Sequence, residues 1–498
     1  MIKKLLFPLF FFLFSLQTIL ATDGYFEFTP LATEAYQKTL ELKIEEASVL
    51  LARAKNEEPN NMMVYFVENY LDFMRVFINE NEKEFKQLLK NKDRRLERIK
   101  SGDTNSPYYL YTQAEIKLQW ALLHLKFDEY LSALSNIKSA YKLLSRNLDK
   151  HPDFLQSKKS LGLLHALVGT VPDSYKWAVK LLSGMDGTIE QGTKEIEEVL
   201  AHARRNNDVI FEQETLVLYS FLMLHLKNES DAAWKLIHSG NLDPNESPLA
   251  CFAVANMAMR IGQNDEAIRI LENRPSGKAY YPLHFLDFML GLAKLRRLDE
   301  DADIYLNKYI HNFRGQNYIK EAYQKLAWHS LLKGDEDKYK KYMNQVKARG
   351  NTSVSNDKSA LTEAKKGIVP DPILLQARIL FDGGYYQKAY SLLKGISQYH
   401  FSDKGLQLEY IYRLGRIAHE MKNTTDGLYY YDQTIKVGRN QRYYFACNAA
   451  FKAGLICEEM GNKTKAKEYY NICLSLKPDE YKNSLHGLAK AGLNRLKD

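Results

Sequence analysis

The chain has 498 residues, 45% of them apolar and 26% charged, with a formal charge of +8. That balance excludes wholesale disorder and a multi-span membrane protein, and the length suits about two to four ordinary domains or one long repeat array. The charge excess is small for such a length, so the basic runs around Arg94 and Arg204 read as solvated helix faces, and no nucleic-acid partner is expected.

Residues 1–21 open with Lys3 and Lys4, continue in an apolar run from Leu5 to Leu16 and end at Ala21. This pattern predicts a signal peptide cleaved after Ala21, with an uncleaved anchor as the alternative, because the run is short for a membrane span. Loss of the two lysines lowers the charge to +6. No comparable apolar run follows. The mature chain is therefore expected to be exported, periplasmic or extracellular in a bacterium, with no integral membrane span.

Residues 22–346 read as a helical block. Ala47, Leu51 and Ala54 share one helical face and Pro59 stops it, while Met62 to Ile78 and Glu82 to Ile99 form an amphipathic pair. Ser101 to Pro107 is a loop by composition, and Tyr108 to Leu125 with Phe127 to Leu144 forms the next hairpin, with Ala121, Ala133 and Ala140 as its small residues. From residue 152 to 207 the pattern changes. Gly162, Gly169, Gly184, Gly187 and Gly192, with Pro172 and Trp177 between them, predict short, tightly turned helices, and Thr188 with Gln191 makes a capping box. A change of direction in the array explains this segment; a ligand pocket around Trp177 is the alternative. Small residues then recur at Ser220, Ala255, Gly291 and Ala327, in steps of 35, 36 and 36, followed on the second helices by Ala232, Ala267, Ala302 and Tyr339.

Residues 347–372 form a polar insertion around a short helix and mark the boundary of a C-terminal block, 373–498. There Ala377 pairs with Ala389, Gly415 with Gly427 and Gly454 with Ala466. The stretch CNAAFKAGLICEEMGNKTKAKEYYNICLSLKP, from Cys447 to Pro478, puts Gly454 eighth, Gly461 fifteenth, Ala466 twentieth, Tyr470 twenty-fourth and Pro478 thirty-second. This spacing resembles the tetratricopeptide repeat, in which the eighth and twentieth residues meet where two antiparallel helices cross. The resemblance implies an all-α fold, an α-solenoid of about ten stacked antiparallel hairpins in one or two blocks. A capping helix is expected to close it, with Leu485, Leu488, Gly492, Leu493 and Leu496 on one face. The segment 152–207 is also similar to the corresponding region of the tetratricopeptide repeat protein 39 type.

Sequence motifs for a catalytic serine elbow, a zinc-binding helix or a phosphate loop are missing, and the acidic run Asp299, Asp301, Asp303 meets Ile304 where a calcium loop needs glycine. No enzymatic activity, cofactor or metal is expected. Five Asn-x-Ser/Thr triplets, at Asn228, Asn245, Asn351, Asn423 and Asn462, matter only in a eukaryotic secretory pathway. The resemblance implies a scaffold for protein–protein interaction in the cell envelope or outside the cell; an exported glycan- or small-molecule-binding protein is the alternative. Inward-pointing offsets of first helices in the family select Asp371, Arg378, Phe381, Asp382, Tyr412, Arg416, His419, Glu420, Phe451 and Glu458 as a concave binding face. Mixed aromatics and charges there suit a peptide with basic and apolar side chains, whereas the structural alternative is pairing across helices, for example Arg416 with Asp382. Hairpin levels also set Cys447 opposite Cys473, as a disulfide or as two buried thiols.

Overall fold

Proline at the first turn and a polar residue just before it open several helices. Pro30, Pro107, Pro248 and Pro372 follow Thr29, Ser106, Ser247 and Asp371, whose side chains each accept a backbone N–H of the turn they precede. Asn423 and Asn462, from two of the Asn-x-Ser/Thr triplets, cap helices in the same way. The computed structural model describes residues 24–171 and 184–496, so the leader, Pro172 and Trp177 lie outside the described residues.

The fold is all-α, an α-solenoid of stacked helical hairpins. In chain order α1 (Pro30–Leu40) packs on α2 (Ile44–Glu57), α3 (Met62–Asn79) on α4 (Glu82–Lys100), α5 (Pro107–Lys126) on α6 (Tyr130–Lys150) and α7 (Gln156–Gly169) on α8 (Ile189–Arg205). Then α9 (Val209–Leu222), prolonged by a π-helical turn over Met223–Lys227, packs on α10 (Ser230–Ile237), α11 (Pro248–Arg260) on α12 (Asn264–Glu272), α13 (Phe285–Arg297) on α14 (Ala302–Asn312) and α15 (Ile319–Leu332) on α16 (Glu336–Ala348). After α17 (Ser355–Lys366) come the pairs α18 (Pro372–Asp382) with α19 (Tyr386–Lys394), α20 (Lys404–Glu420) with α21 (Thr424–Gly438) and α22 (Phe445–Glu459) with α23 (Lys463–Ser475), covered by α24 (Lys482–Arg495). The described residues thus hold eleven hairpins and no strand, only isolated bridges at Gly24–Gly102 and Tyr25–Asn61.

Several expectations need correction. Among the described residues of the glycine-rich segment the helices are not short: α7 has 14 residues and α8 has 17. Its glycines let the helices touch, since a Cβ on Gly192 would stand 2.2 Å from the Gly162 carbonyl oxygen. In the fifth hairpin the crossing residue is the fully buried Ala233 and not the exposed Ala232, because the π-helical turn adds a residue before α10 and shifts its register by one. Gly454 faces the Tyr470 ring. A Cβ there would lie 2.5 Å from Cε1, and one on Gly492 of α24 would lie 2.5 Å from Cε2, so two glycines sandwich the ring. Leu488 of the capping helix is exposed, while Leu485, Ala489 and Leu496 are buried. Nor is Val209–Lys227 ordinary: the run is long and apolar enough to cross a bilayer. Here its Leu216, Tyr219 and Leu222 join the core with residues of α8, α11 and α12.

Successive turns of the array touch. Leu42, between α1 and α2, accepts from the Tyr281 N–H (2.7 Å), and Glu80, between α3 and α4, accepts from the Asn317 N–H and side-chain amide (3.2 and 3.0 Å). Ser353 bonds Asp128 at 2.7 Å, and the Gly262 and Gly384 backbones meet so closely that a Cβ on Gly384 would stand 2.2 Å from the Gly262 oxygen. Within the first five hairpins, Glu214 of α9 accepts from the hydroxyls of Tyr36 (α1) and Tyr70 (α3) and from the Lys159 ammonium (α7, 2.6 Å). The insertion is built into the same packing. Buried Asp357 of α17 accepts the Tyr318 and Glu321 N–H groups at the start of α15 (2.6 and 2.9 Å), and Ala360 and Ala364 share one apolar cluster with Trp328 before the insertion and Ile379 after it.

Candidate functional site

The expected face is assembled from first helices whose small residues let them lie side by side, α18 on α20 and α20 on α22. The sequence-selected residues then divide by role. Asp371 caps α18 through Ile373 and Leu374 and is spent there. Tyr412, His419 and Phe451 are buried: Tyr412 packs on Phe445, His419 shares a hydrogen bond with the Tyr431 hydroxyl (3.2 Å), and Phe451 packs on Tyr470. Burial pushes the His419 pKa down to about 4, assisted by the Lys452 charge, so it is a neutral core histidine near neutral pH. Glu458 accepts both Arg495 nitrogens at 2.8 Å and the Tyr470 hydroxyl, which ties α22 to the capping helix.

Arg378, Phe381, Asp382, Arg416 and Glu420 remain accessible. The Arg416 guanidinium lies 4.7 Å from the centre of the Phe381 ring and donates to the Tyr412 hydroxyl at 3.1 Å, so it does not make the expected pair with Asp382. Its Nε is buried with no hydrogen-bond partner. Arg378 lies 4.7 Å over the Trp328 ring of α15 and 4.0 Å from Asp382. Burial opposes its charge, and Asp382 followed by Glu363 more than restores it, so its pKa sits above the usual arginine value.

Residues outside the expected set extend this face on both sides. Lys325 lies 3.7 Å above the Trp328 ring and 3.5 Å from Glu321, and the Trp328 indole donates to Glu363 (2.7 Å). Half-buried Arg296 of α13 has its Nε without a partner, and burial lowers its pKa. Lys452 of α22 is half-buried and makes no ion pair among the described residues; burial, then repulsion from Arg416, lowers its pKa. The carboxylates that could balance these cations are largely engaged, Glu409 with Arg413 and Glu458 with Arg495. Around Arg296, Arg378, Arg416 and Lys452 the remaining acids are Asp382, 4.0 Å from Arg378, with Glu420 and Glu459 beside Lys452. Chemically the face offers guanidinium donors held on aromatic rings, with no nucleophile–base pair among its described residues.

Other candidates resolve into structure. Lys294 takes Asp301 (3.0 Å) and Arg297 takes Asp299 (2.6 Å), which occupies the acidic run, and Arg204 pairs with Glu212 (3.2 Å). Beside exposed Arg94, Arg95 is not solvated: it is buried between Glu68 and Asp72, at 2.7 Å from each. Open hollows lined by Glu82, Lys83 and Lys86 and by Lys333, Asp335 and Lys340 include no residue of the charged face.

Hairpins crossing at small residues, stacked in sequence and closed by a capping helix, define an α-solenoid of tetratricopeptide-like units. No family model matches the chain, and no curated protein sequence matches it. Among solved structures it is similar to the crystal structure of yeast Tom70, at 13% identity and a TM-score of 0.23, over 93% of this chain and 95% of that one. It is also similar to the structure of Naa15/Naa10 bound to HypK-THB, at 14% identity and a TM-score of 0.23, over 93% of this chain and 60% of that chain. Values this low carry no residue or partner from those proteins to this one.

Proposed function

We propose that this protein is a non-catalytic interaction scaffold whose inner face from α13 to α22 receives an extended segment of a partner protein. The observation that carries the reading is that Arg296, Arg416 and Lys452 make no ion pair among the described residues and that the two arginines keep a buried Nε without an acceptor. A buried donor left unpaired costs about 1–3 kcal/mol, so a ligand that supplies acceptors is favoured there. The partner segment is thus one with carboxylates to meet the guanidinium groups and apolar side chains to lie along Phe381, in place of the basic peptide that the sequence alone suggests.

Cross-linked capture with the wild type and with the Arg378→Gln, Arg416→Gln double variant tests this. Partners lost by a variant that melts like the wild type support the face; an unchanged set of partners removes it. We further propose, from the leader-like residues 1–21, that the chain is exported and acts in the envelope or outside the cell. Intact mass should place Thr22 at the mature N-terminus, and recovery of Met1 would refute cleavage.

A further inference from the structure

The four cysteines differ in their surroundings. All are buried and reduced, but Cys251 and Cys457 stand apart, whereas the Cys447 and Cys473 sulfurs face each other at 3.5 Å across α22 and α23. Both members of the pair have no exposed surface. A disulfide needs the sulfurs at about 2.05 Å, so closure asks only for side-chain rotation and a small approach of two helices already in register. Over Cys473 lies the capping helix, with the Leu485 carbonyl oxygen 3.8 Å from the sulfur. That helix is held by Leu485, Ala489 and Leu496 on its apolar side and by the Arg495–Glu458 ion pair at its end.

We propose that Cys447 and Cys473 form a reversible redox site that takes a low-molecular-weight disulfide as its reactant, and that opening of α24 sets its rate. The Cys447 thiolate attacks one sulfur of the reactant, forming a mixed disulfide and expelling one thiolate. The Cys473 thiolate then attacks the Cys447 sulfur and expels the second. Two electrons and two protons leave the cysteine pair, and the reactant is recovered as two thiols. Support for Cys447 as the attacking group comes from the Cys473 thiol, whose hydrogen bond lowers the Cys447 pKa, while burial pushes Cys251 up to about 12. Closure would fasten α22, which carries Phe451 and Lys452, to α23 at the end of the charged face, so redox state would change the rigidity of that end. The site needs nothing from the proposed partner, and its test is independent of partner binding.

The experiment incubates the full folded chain with oxidised glutathione, quenches with acid, and reads thiol count and disulfide-linked peptides by mass spectrometry. The expected product has two free thiols and a single link joining Cys447 to Cys473, reversed by reduced glutathione. Four free thiols after exhaustive oxidation, a glutathione adduct persisting on one cysteine, or a link through Cys251 or Cys457 would overturn the proposal. For the rate, Arg495→Gln loosens the end of α24 away from both sulfurs, and Leu485→Ala loosens its apolar side while keeping the backbone carbonyl beside Cys473; both should speed closure, about tenfold for the second. Rates equal to the wild type in both variants would overturn control by the capping helix.

Discussion

Replacing Lys159 by Met leaves the Glu214 carboxylate among five packed hairpins with only the Tyr36 and Tyr70 hydroxyls as donors. The Lys159 and Glu214 side chains are only 9% and 14% exposed, so solvent cannot replace the lost ammonium, and removal of one member of such a pair costs about 3–5 kcal/mol. In the wild type, burial raises the Glu214 pKa, but Lys159 and the two tyrosines outweigh it and hold it below the ordinary value. Without Lys159 the burial effect dominates and the folded-state pKa rises above the unfolded one. The variant's deficit is then largest at neutral pH and shrinks as pH falls and the carboxyl takes a proton. A second change, Glu214→Gln, keeps an acceptor for the tyrosines and removes the nearer of the two carboxylates that Lys159 serves, the other being Glu115 at 3.6 Å, so the double variant should be more stable than Lys159→Met alone. Repeat arrays lose stability locally, so the assay pairs urea unfolding with hydrogen exchange of α1, α3, α7 and α9 at pH 5 and pH 7. A cost below about 1 kcal/mol, or one equal at both pH values, would refute the assignment of the network as a buried charge pair.

Burial raises the Asp357 pKa to about 6 from an ordinary 3.8, so its stabilising contribution is complete below pH 3.8 and disappears as pH climbs through about 6. Measured against Asp357→Asn, the wild type should lose about 3 kcal/mol between pH 4 and pH 7; parallel pH profiles would contradict this. His419 has the opposite sign: its pKa is lowered to about 4 from 6.5, so stability present above pH 6.5 is lost as pH falls towards 4, and His419→Phe should flatten that limb of the profile. Ala233→Leu should cost about 1–3 kcal/mol and Ala232→Leu less than about 0.5 in thermal or urea unfolding; the reverse order would reject the one-residue shift made by the π-helical turn. Gly492→Ala should destabilise by about 1–3 kcal/mol against the Tyr470 ring, and Tyr470→Leu in the same chain should cancel that loss in a double-variant cycle.

The fold was legible because hairpin packing writes itself into the spacing of small residues. Ser220, Ala255, Gly291 and Ala327 are all buried, and even Tyr339, too large for the rule, is buried. Register failed where backbone geometry departed from the α-helix. Nothing in Met223–Lys227 announces a π-helical turn, since its extra residue is set by packing on both sides rather than by local preference. The binding face was legible only in part, for a different reason. Family offsets say which residues point inward, but not which of those are already consumed: Glu458 by Arg495, His419 by Tyr431, Asp371 by its own helix. Arg296 and Trp328 lie at inward offsets too. The inward offsets of α13 are otherwise apolar, Phe285, Phe288, Leu292 and Leu295, which hides Arg296 among them, and the packing of α13 and α15 directly against α18, with the insertion helix to one side on α15 and α16, is not written in the spacing.

The coiling of the array favours the later part of the inner face as the place for the proposed partner. In the first turn, the space enclosed by α1, α3, α5, α7 and α9 is filled by the protein's own groups: Glu214 gathers donors from three helices, and the Phe28, Tyr108, Tyr111, Phe154 and Phe211 rings pack edge to face. Hydrogen bonds that Leu42, Glu80 and Asp128 accept from later segments then fix that turn against the next, so opening it would break bonds between turns as well as the network inside. The later first helices lack such a self-made filling. Of their inward cations, Arg378 and Arg416 lie on aromatic rings, Arg296 and Arg416 make no ion pair among the described residues, and the Nε atoms of these last two have no partner. The same helices thus provide structure in one half of the array and unused hydrogen-bonding capacity in the other. A partner that bound the first half would have to displace the Lys159–Glu214 pair. One that bound the second would only supply what is missing, so hydrogen exchange in the complex should slow along α18, α20 and α22 and stay unchanged along α1, α3 and α7. Protection confined to the first half would place the partner on the wrong part of the array and refute the argument from charge.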